Sequence, residues 1–133
     1  MKELVLAART IAVLGAKDTR GEAAFYVPQY MNDAGYLVVA VSPRLAPQRV
    51  WGGPSVATLA ELSQPVDIIN IFRRPEAIPA HVDEILALPW RPKLVWLQTG
   101  IAHPATQRLR DAGIAVVENR CLMVEHRRYL ATP

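Results

Sequence analysis

A chain of 133 residues, 51% of them hydrophobic, is long enough to bury a core and too apolar to be disordered. Its net charge of +3, carried by twelve arginines and three lysines, suits a polyanionic small ligand and permits no more than weak nucleic-acid contact. One cysteine, Cys121, excludes an internal disulfide and a cysteine-built metal cage, and no apolar run approaches the ~20 residues of a membrane span.

Lys2 to Arg9 reads as a short lead-in helix. The opening MKELVLAARTIAVLGA superficially resembles a signal peptide, but Glu3 and Arg9 break its apolar stretch and Ile11 to Leu14 is needed as a strand. A cytoplasmic protein with one domain over residues 1–133 is expected. The first strand is Thr10 to Leu14, and Gly15 follows at once. A polar loop through Lys17, Asp18, Thr19 and Arg20 then leads to Gly21 and a helix at Ala24 to Ala34. Strand, glycine turn and helix N-terminus are the parts of a phosphate site, since glycine admits close approach and the helix end offers N–H groups. The usual G-x-G-x-x-G is degraded, with Lys17 in the second glycine's place and Gly21 one residue beyond the third's. A plain strand and turn of some other α/β protein remains the alternative. Pro28 inside the helical pattern implies a late start or a kink, and Gly35 ends the helix.

Leu37 to Val41 is continuously apolar, as a parallel strand covered on both faces should be, and it stops at Ser42-Pro43-Arg44. Residues 43 to 56, rich in Pro and Gly, read as an irregular surface excursion. Thr58 to Glu61 forms a capping box before a short helix. Val66 to Phe72 is the third strand, followed by Arg73-Arg74-Pro75 and a helix starting near Ile78 or Pro79. Leu94 to Leu97 is the fourth strand, ahead of Gln98-Thr99-Gly100. Pro104 opens a helix that Gly113 stops, Ile114 to Val117 is the fifth strand, and Leu122 to Tyr129 is a last short helix.

This alternation requires crossovers and gives a three-layer, doubly wound α/β parallel sheet of about five strands, expected in the order 3-2-1-4-5. In such sheets the ligand lies beyond the carboxyl ends of the strands. That rim collects Gly15 to Arg20, Ser42 to Arg44, Phe72 to Arg74, Gln98 to Gly100 and Glu118 to Arg120. A NAD unit places Asp or Glu after the second strand, and here Arg44 suits a phosphorylated ribose, as in NADP or coenzyme A. Phe72 offers an aromatic face for a base or a cap for the core, and Arg73 and Arg74 offer two more cations.

These blocks carry a resemblance. IAVLGAKD, GYLVVAVSPR, VDIINIFRRPE, VWLQTGI and AGIAVVENRC, spanning Ile11 to Cys121, resemble the small stand-alone CoA-binding domain proteins. Those proteins look like the N-terminal Rossmann-type domain of the succinyl-CoA synthetase α subunit. The resemblance implies that coenzyme A lies across the rim. Its pyrophosphate would meet Gly15, Ala16 and Lys17, with Asp18 and Arg20 adjoining, and its phosphorylated ribose would meet Ser42, Pro43 and Arg44. The adenine and pantetheine would pass near Phe72, Arg73, Arg74, Gln98 and Gly100, with Asn119 at the same rim. Lys17 departs from the small residue that many members carry there.

The synthetase's phosphohistidine resides in a second domain, which these residues do not include. His81 and His126 are expected on solvated helix faces, and His103 is expected to cap a helix. A lone cysteine is more often a small buried hydrophobe than a nucleophile, and no base is identifiable beside Cys121. A binding protein for CoA or acyl-CoA, with no catalytic residue and no metal, is therefore expected. The alternatives are an NADP-binding oxidoreductase-like domain and, less favoured, a nucleic-acid module using Arg73-Arg74 and Arg127-Arg128.

Overall fold

The computed structural model describes residues 1–131. Helix α1 (Lys2–Ala7) leads into β1 (Thr10–Leu14), α2 (Ala23–Asp33) and β2 (Leu37–Val41). The excursion holds a two-residue hairpin, β3 (Arg49–Val50) with β4 (Gly53–Pro54), and the Thr58–Glu61 capping box then starts a 3-10 turn. There follow β5 (Ile68–Ile71), α3 (Ile78–Leu86), β6 (Leu94–Leu97), α4 (Gln107–Asp111), β7 (Ala115–Val117) and α5 (Leu122–Ala131).

Five strands pair in parallel in the order β2-β1-β5-β6-β7. The expected doubly wound parallel sheet is present. Counted among the five parallel strands alone the order is 2-1-3-4-5, so the third lies between the first and fourth instead of outside the second. All four residues of β5 are buried, as befits a strand covered on both faces with neighbours on both sides. The edges are β7 and β2, the latter with Leu37 61% exposed. Val56 bridges Val41 and covers the far half of that edge. The reversal of strand order, and with it the ligand crevice of such sheets, therefore falls between β1 and β5.

Side-chain alternation splits the core into two layers. Ala12, Leu14, Ile69, Ile71, Val95 and Leu97 face α3 and α4 through Ile78, Val82, Ile85 and Leu109. On the opposite face, Ile11, Val13, Val38, Ile68, Leu94 and Trp96 meet Val5 of α1, Val27 and Met31 of α2 and Leu122 of α5. Among the described residues no helix is long and apolar enough to cross a membrane.

His126 is not on a solvated face. It is buried where α5 meets α2, with Nδ1 2.9 Å from the Tyr30 hydroxyl and its ring edge-on to Tyr30 and Tyr36. Arg127 lies over the other partner of that contact, 4.9 Å from the Tyr30 ring centroid. Burial holds the imidazole's pKa below its ordinary 6.5. As the pH falls through 6.5, the unfolded chain takes up a proton there that the folded chain refuses, so stability falls with it. Urea unfolding should show this loss in the window above carboxylate titration, and His126→Gln, which keeps an acceptor without titrating, should flatten it.

His81 likewise has a partner, Glu84 Oε1 at 2.9 Å, and is only 18% exposed at its side chain. That hydrogen bond holds the Glu84 carboxyl below its usual range.

Candidate functional site

At the reversal of strand order between β1 and β5, where such sheets hold their ligands, the two loops that leave those strands meet. Gly15 has φ +79 and donates its N–H to the Val41 carbonyl at 3.1 Å, while Phe72 donates to Leu14 O at 2.9 Å. A Cβ on Gly15 would run into the Phe72 carbonyl oxygen and would touch Arg73 Cδ at 3.0 Å. The glycine is thus required by backbone conformation and by the neighbouring loop lying directly against it. That is a different reason from the approach of a phosphate.

Beyond Gly15, Ala16 turns into the core, and Lys17 donates its N–H to Ala24 O at 3.3 Å. This bond explains Pro28. A proline in the helix interior leaves the carbonyl four residues earlier without its donor. That carbonyl is Ala24's, and Lys17 from the loop supplies the missing N–H. The helix therefore starts at Ala23 and runs through Pro28, with the loop stitched to its first turns. Asp18 accepts a bond from Gln48 Nε2 at 3.2 Å, which ties the loop to the excursion after β2. Gln48 gave no signal in sequence, because it meets Asp18 only through the fold.

Helix α2 opens toward the same crevice. Its N-cap, Glu22, makes no side-chain cap, and its first turn carries no acidic residue. The Ala23 and Ala24 N–H groups have no acceptor among the described residues. Such an end favours an anion.

After β2, Ser42 is buried and serves the turn. Its Oγ accepts from the Arg44 N–H at 3.2 Å, and its carbonyl accepts from Leu45 at 3.2 Å and Ala46 at 3.1 Å. Pro43 and Arg44 project into solvent. Phe72 is half-buried and Arg73 exposed, while Arg74 pairs loosely with Glu76 at 3.8 Å on the open surface.

At the other end of the rim, the expected contacts are engaged inside the fold. Buried Gln98 uses Oε1 to accept from Asn70 Nδ2 at 3.3 Å and from the Leu122 N–H at 2.9 Å. Asn119, at φ +58, accepts the Gly100 N–H at 2.6 Å. Trp96 Nε1 donates to Arg120 O at 2.7 Å. These bonds lock the loops after β6 and β7 to each other and to the start of α5. Asn70 was missed, although a lone amide inside the apolar run VDIINIF marks it. Its Nδ2 also reaches Trp96 O at 3.2 Å, and its buried Oδ1 has no partner among the described residues.

His103 caps the turn before α4 as expected, its Nδ1 accepting from the Ala105 N–H at 2.9 Å. Cys121 is partly buried and packs against the Trp96 face of the sheet, and no hydrogen bond joins its thiol to another described residue.

Charge separates the two ends of this rim. Lys17, Arg20, Arg44 and Arg73 are exposed, and none forms an ion pair among the described residues. Elsewhere Lys93, Arg108, Arg110, Arg120 and Arg128 each lie within 4.0 Å of a carboxylate, while Arg9, Arg49, Arg91 and Arg127 also form no ion pair among the described residues, Arg49 and Arg91 bonding backbone carbonyls and Arg127 lying over Tyr30. Four cations without an ion pair therefore stand together on the loops of β1, β2 and β5, with the Asp18 and Glu22 carboxylates on the first of those loops.

The sequence model of the CoA binding domain matches residues 9–127. An uncharacterised Bacillus subtilis (strain 168) protein, YneT, is 32% identical over 127 residues, covering 95% of this chain and 91% of its own. A solved structure from Thermus thermophilus superposes with a TM-score of 0.92 at 48% identity, over 96% of this chain and 95% of that one. A hypothetical protein from Pyrococcus horikoshii OT3 superposes with a TM-score of 0.87 at 26% identity, covering 97% of this chain and 89% of its own. With sequence and fold matched over almost their full lengths, the chain belongs to the CoA-binding domain family.

Proposed function

We propose that the protein binds coenzyme A or an acyl thioester of it, and does no chemistry of its own. The observation that carries this is the set of four unpaired cations around the β1/β5 crevice in a member of the CoA-binding domain family. Coenzyme A brings a pyrophosphate and a ribose 3′-phosphate, and a guanidinium free of other partners can give such groups two charge-assisted hydrogen bonds. In this reading the pyrophosphate lies at the α2 N-terminus, against Ala23 and Ala24, with Lys17 and Arg20 beside it. Arg44, just beyond β2 where a Rossmann-bound ribose lies, takes the 3′-phosphate. Phe72 and Arg73 wall the crevice. A passive role is supported by Cys121, which has no base hydrogen-bonded to it, and by His103, whose Nδ1 is spent on a cap.

Calorimetry with CoA, dephospho-CoA, NAD and NADP tests the reading. CoA should bind saturably and NAD should not bind. Arg44→Ala should weaken CoA by about 10- to 100-fold, the equivalent of one partly solvated charged contact, and leave dephospho-CoA nearly unchanged. NAD or NADP binding as tightly as CoA would overturn it, the second outcome favouring an oxidoreductase-like module.

A further inference from the structure

The hairpin of β3 and β4 carries Trp51 at its tip, and this residue is costly in two independent ways. Trp51 has φ +55 and Gly52 φ +84, the pair of left-handed conformations that a two-residue hairpin turn demands. Asparagine or glycine takes the first of those positions readily, and a bulky aromatic residue does not. The indole Nε1–H is also covered by protein, with no acceptor among the described residues. Only Asn70 Oδ1 shares that condition among them, and it is an acceptor whose own amide nitrogen is engaged. Trp51 is thus the one buried side-chain donor left without a partner among the described residues.

Packing is what holds Trp51 in this state. Its ring centroid lies 6.1 Å from that of Phe25, tilted by 32°, and it packs on the core layer that contains Val27, Leu45 and Val50. Phe25 stands in the first turn of α2, and helical side chains lean toward the helix N-terminus. The indole therefore borders the end of α2 whose Ala23 and Ala24 N–H groups are open. The base of the hairpin is joined to the loop after β1 as well, through the Gln48–Asp18 bond.

An indole N–H donates and cannot accept, so only an acceptor relieves it. The first turn of α2 favours the same kind of group, and Lys17 and Arg20 stand on the loop before it. We infer that Trp51 is an anion-reading residue: when a phosphate oxygen occupies the α2 N-terminus, the hairpin tip shifts and the indole N–H donates to that oxygen. Two gains drive the shift. Leaving the left-handed region relieves the backbone, and a charged acceptor relieves the donor. The anion thus interacts differently with the two arrangements of the tip, which is what moving an equilibrium between them requires. This rests on the CoA reading above and adds to it a donor that neither the loop after β1 nor the turn after β2 supplies.

The test follows the Trp51 indole proton by NMR while wild-type protein is titrated with CoA, with inorganic pyrophosphate and with adenosine. CoA and pyrophosphate should each move the signal downfield, the response of an N–H that gains a charged acceptor. Adenosine, which carries no phosphate, should leave it in place. By calorimetry, Trp51→Phe, which keeps an aromatic ring against Phe25 and removes the donor, should bind CoA about tenfold more weakly. The wild-type titration decides the matter whether or not that variant folds. A Trp51 signal that stays fixed while CoA binds, or a folded Trp51→Phe variant with wild-type affinity, overturns the inference and leaves the CoA reading standing. A shift with adenosine as large as that with CoA overturns it too, since the ring would then be meeting the base. If CoA does not bind the wild type, the CoA reading falls, and this inference with it.

Discussion

Gly15→Val should lose about 2–5 kcal/mol of folding stability, among the largest costs of any single change near the crevice. About 1–2 kcal/mol comes from forcing an L side chain into the left-handed region at φ +79, and the rest from driving a branched side chain into the Phe72 carbonyl. Denaturant unfolding of the purified variant measures it. Gly15→Ala should show most of the effect, because the first carbon already meets the Phe72 backbone. A variant as stable as the wild type would mean that the β1 and β5 loops do not lie against each other. Lost ligand binding in this variant would be a consequence of displaced loops, which is why it is a poor probe of phosphate contact.

The cleaner probe is the double charge reversal Arg44→Glu with Arg73→Glu. Both side chains are exposed and neither sits on a carboxylate, so the fold should keep its stability to within about 0.5 kcal/mol per site. Two charge-assisted contacts at ~1.5–3 kcal/mol each amount to roughly a 10²- to 10⁴-fold loss of CoA affinity. Raising salt should shrink the wild-type affinity much more than the variant's, since these contacts are solvent-facing and screened. An unchanged affinity in a folded variant would remove the cationic crevice from consideration. If only Arg44→Glu matters, the anion sits on the β2 side and Arg73 is solvated.

The strands were legible because each is a short, mostly apolar run, and their lengths in the structure differ from the expected ones by at most three residues, the third strand shrinking from Val66–Phe72 to Ile68–Ile71. Their spatial order was not, because both doubly wound orders connect the same elements by the same crossovers. The full burial of Ile68 to Ile71 fits an interior third strand, and a run that is apolar apart from Asn70 is the trace this leaves in the sequence. Gly15 was legible as a glycine that something approaches closely, but what approaches is Phe72, brought there by pairing between β1 and β5. The same limit applies to polar rim residues. Gln98 and Asn119 look like ligand contacts in one dimension, and only the three-dimensional neighbours Asn70, Leu122 and Gly100 show how they are engaged. His126 was misjudged because the charged residues around it, Glu125, Arg127 and Arg128, suggest a wet face. Glu125 is itself buried against Arg120 and Arg128, so charge beside a histidine did not mean exposure.

The proline in α2 has a thermodynamic consequence for whatever the crevice holds. A phosphate loop that is free before binding must give up roughly 1–2 kcal/mol of backbone entropy for each residue it immobilises. By lending the Ala24 carbonyl to Lys17, the interrupted helix has already immobilised the loop at its midpoint. Only the short polar stretch between Asp18 and Glu22 is left to settle around an anion, and Gln48 restrains its first residue. The defect in the helix ladder is thus preorganisation of the binding loop, with the ordering cost met during folding and not charged against the ligand.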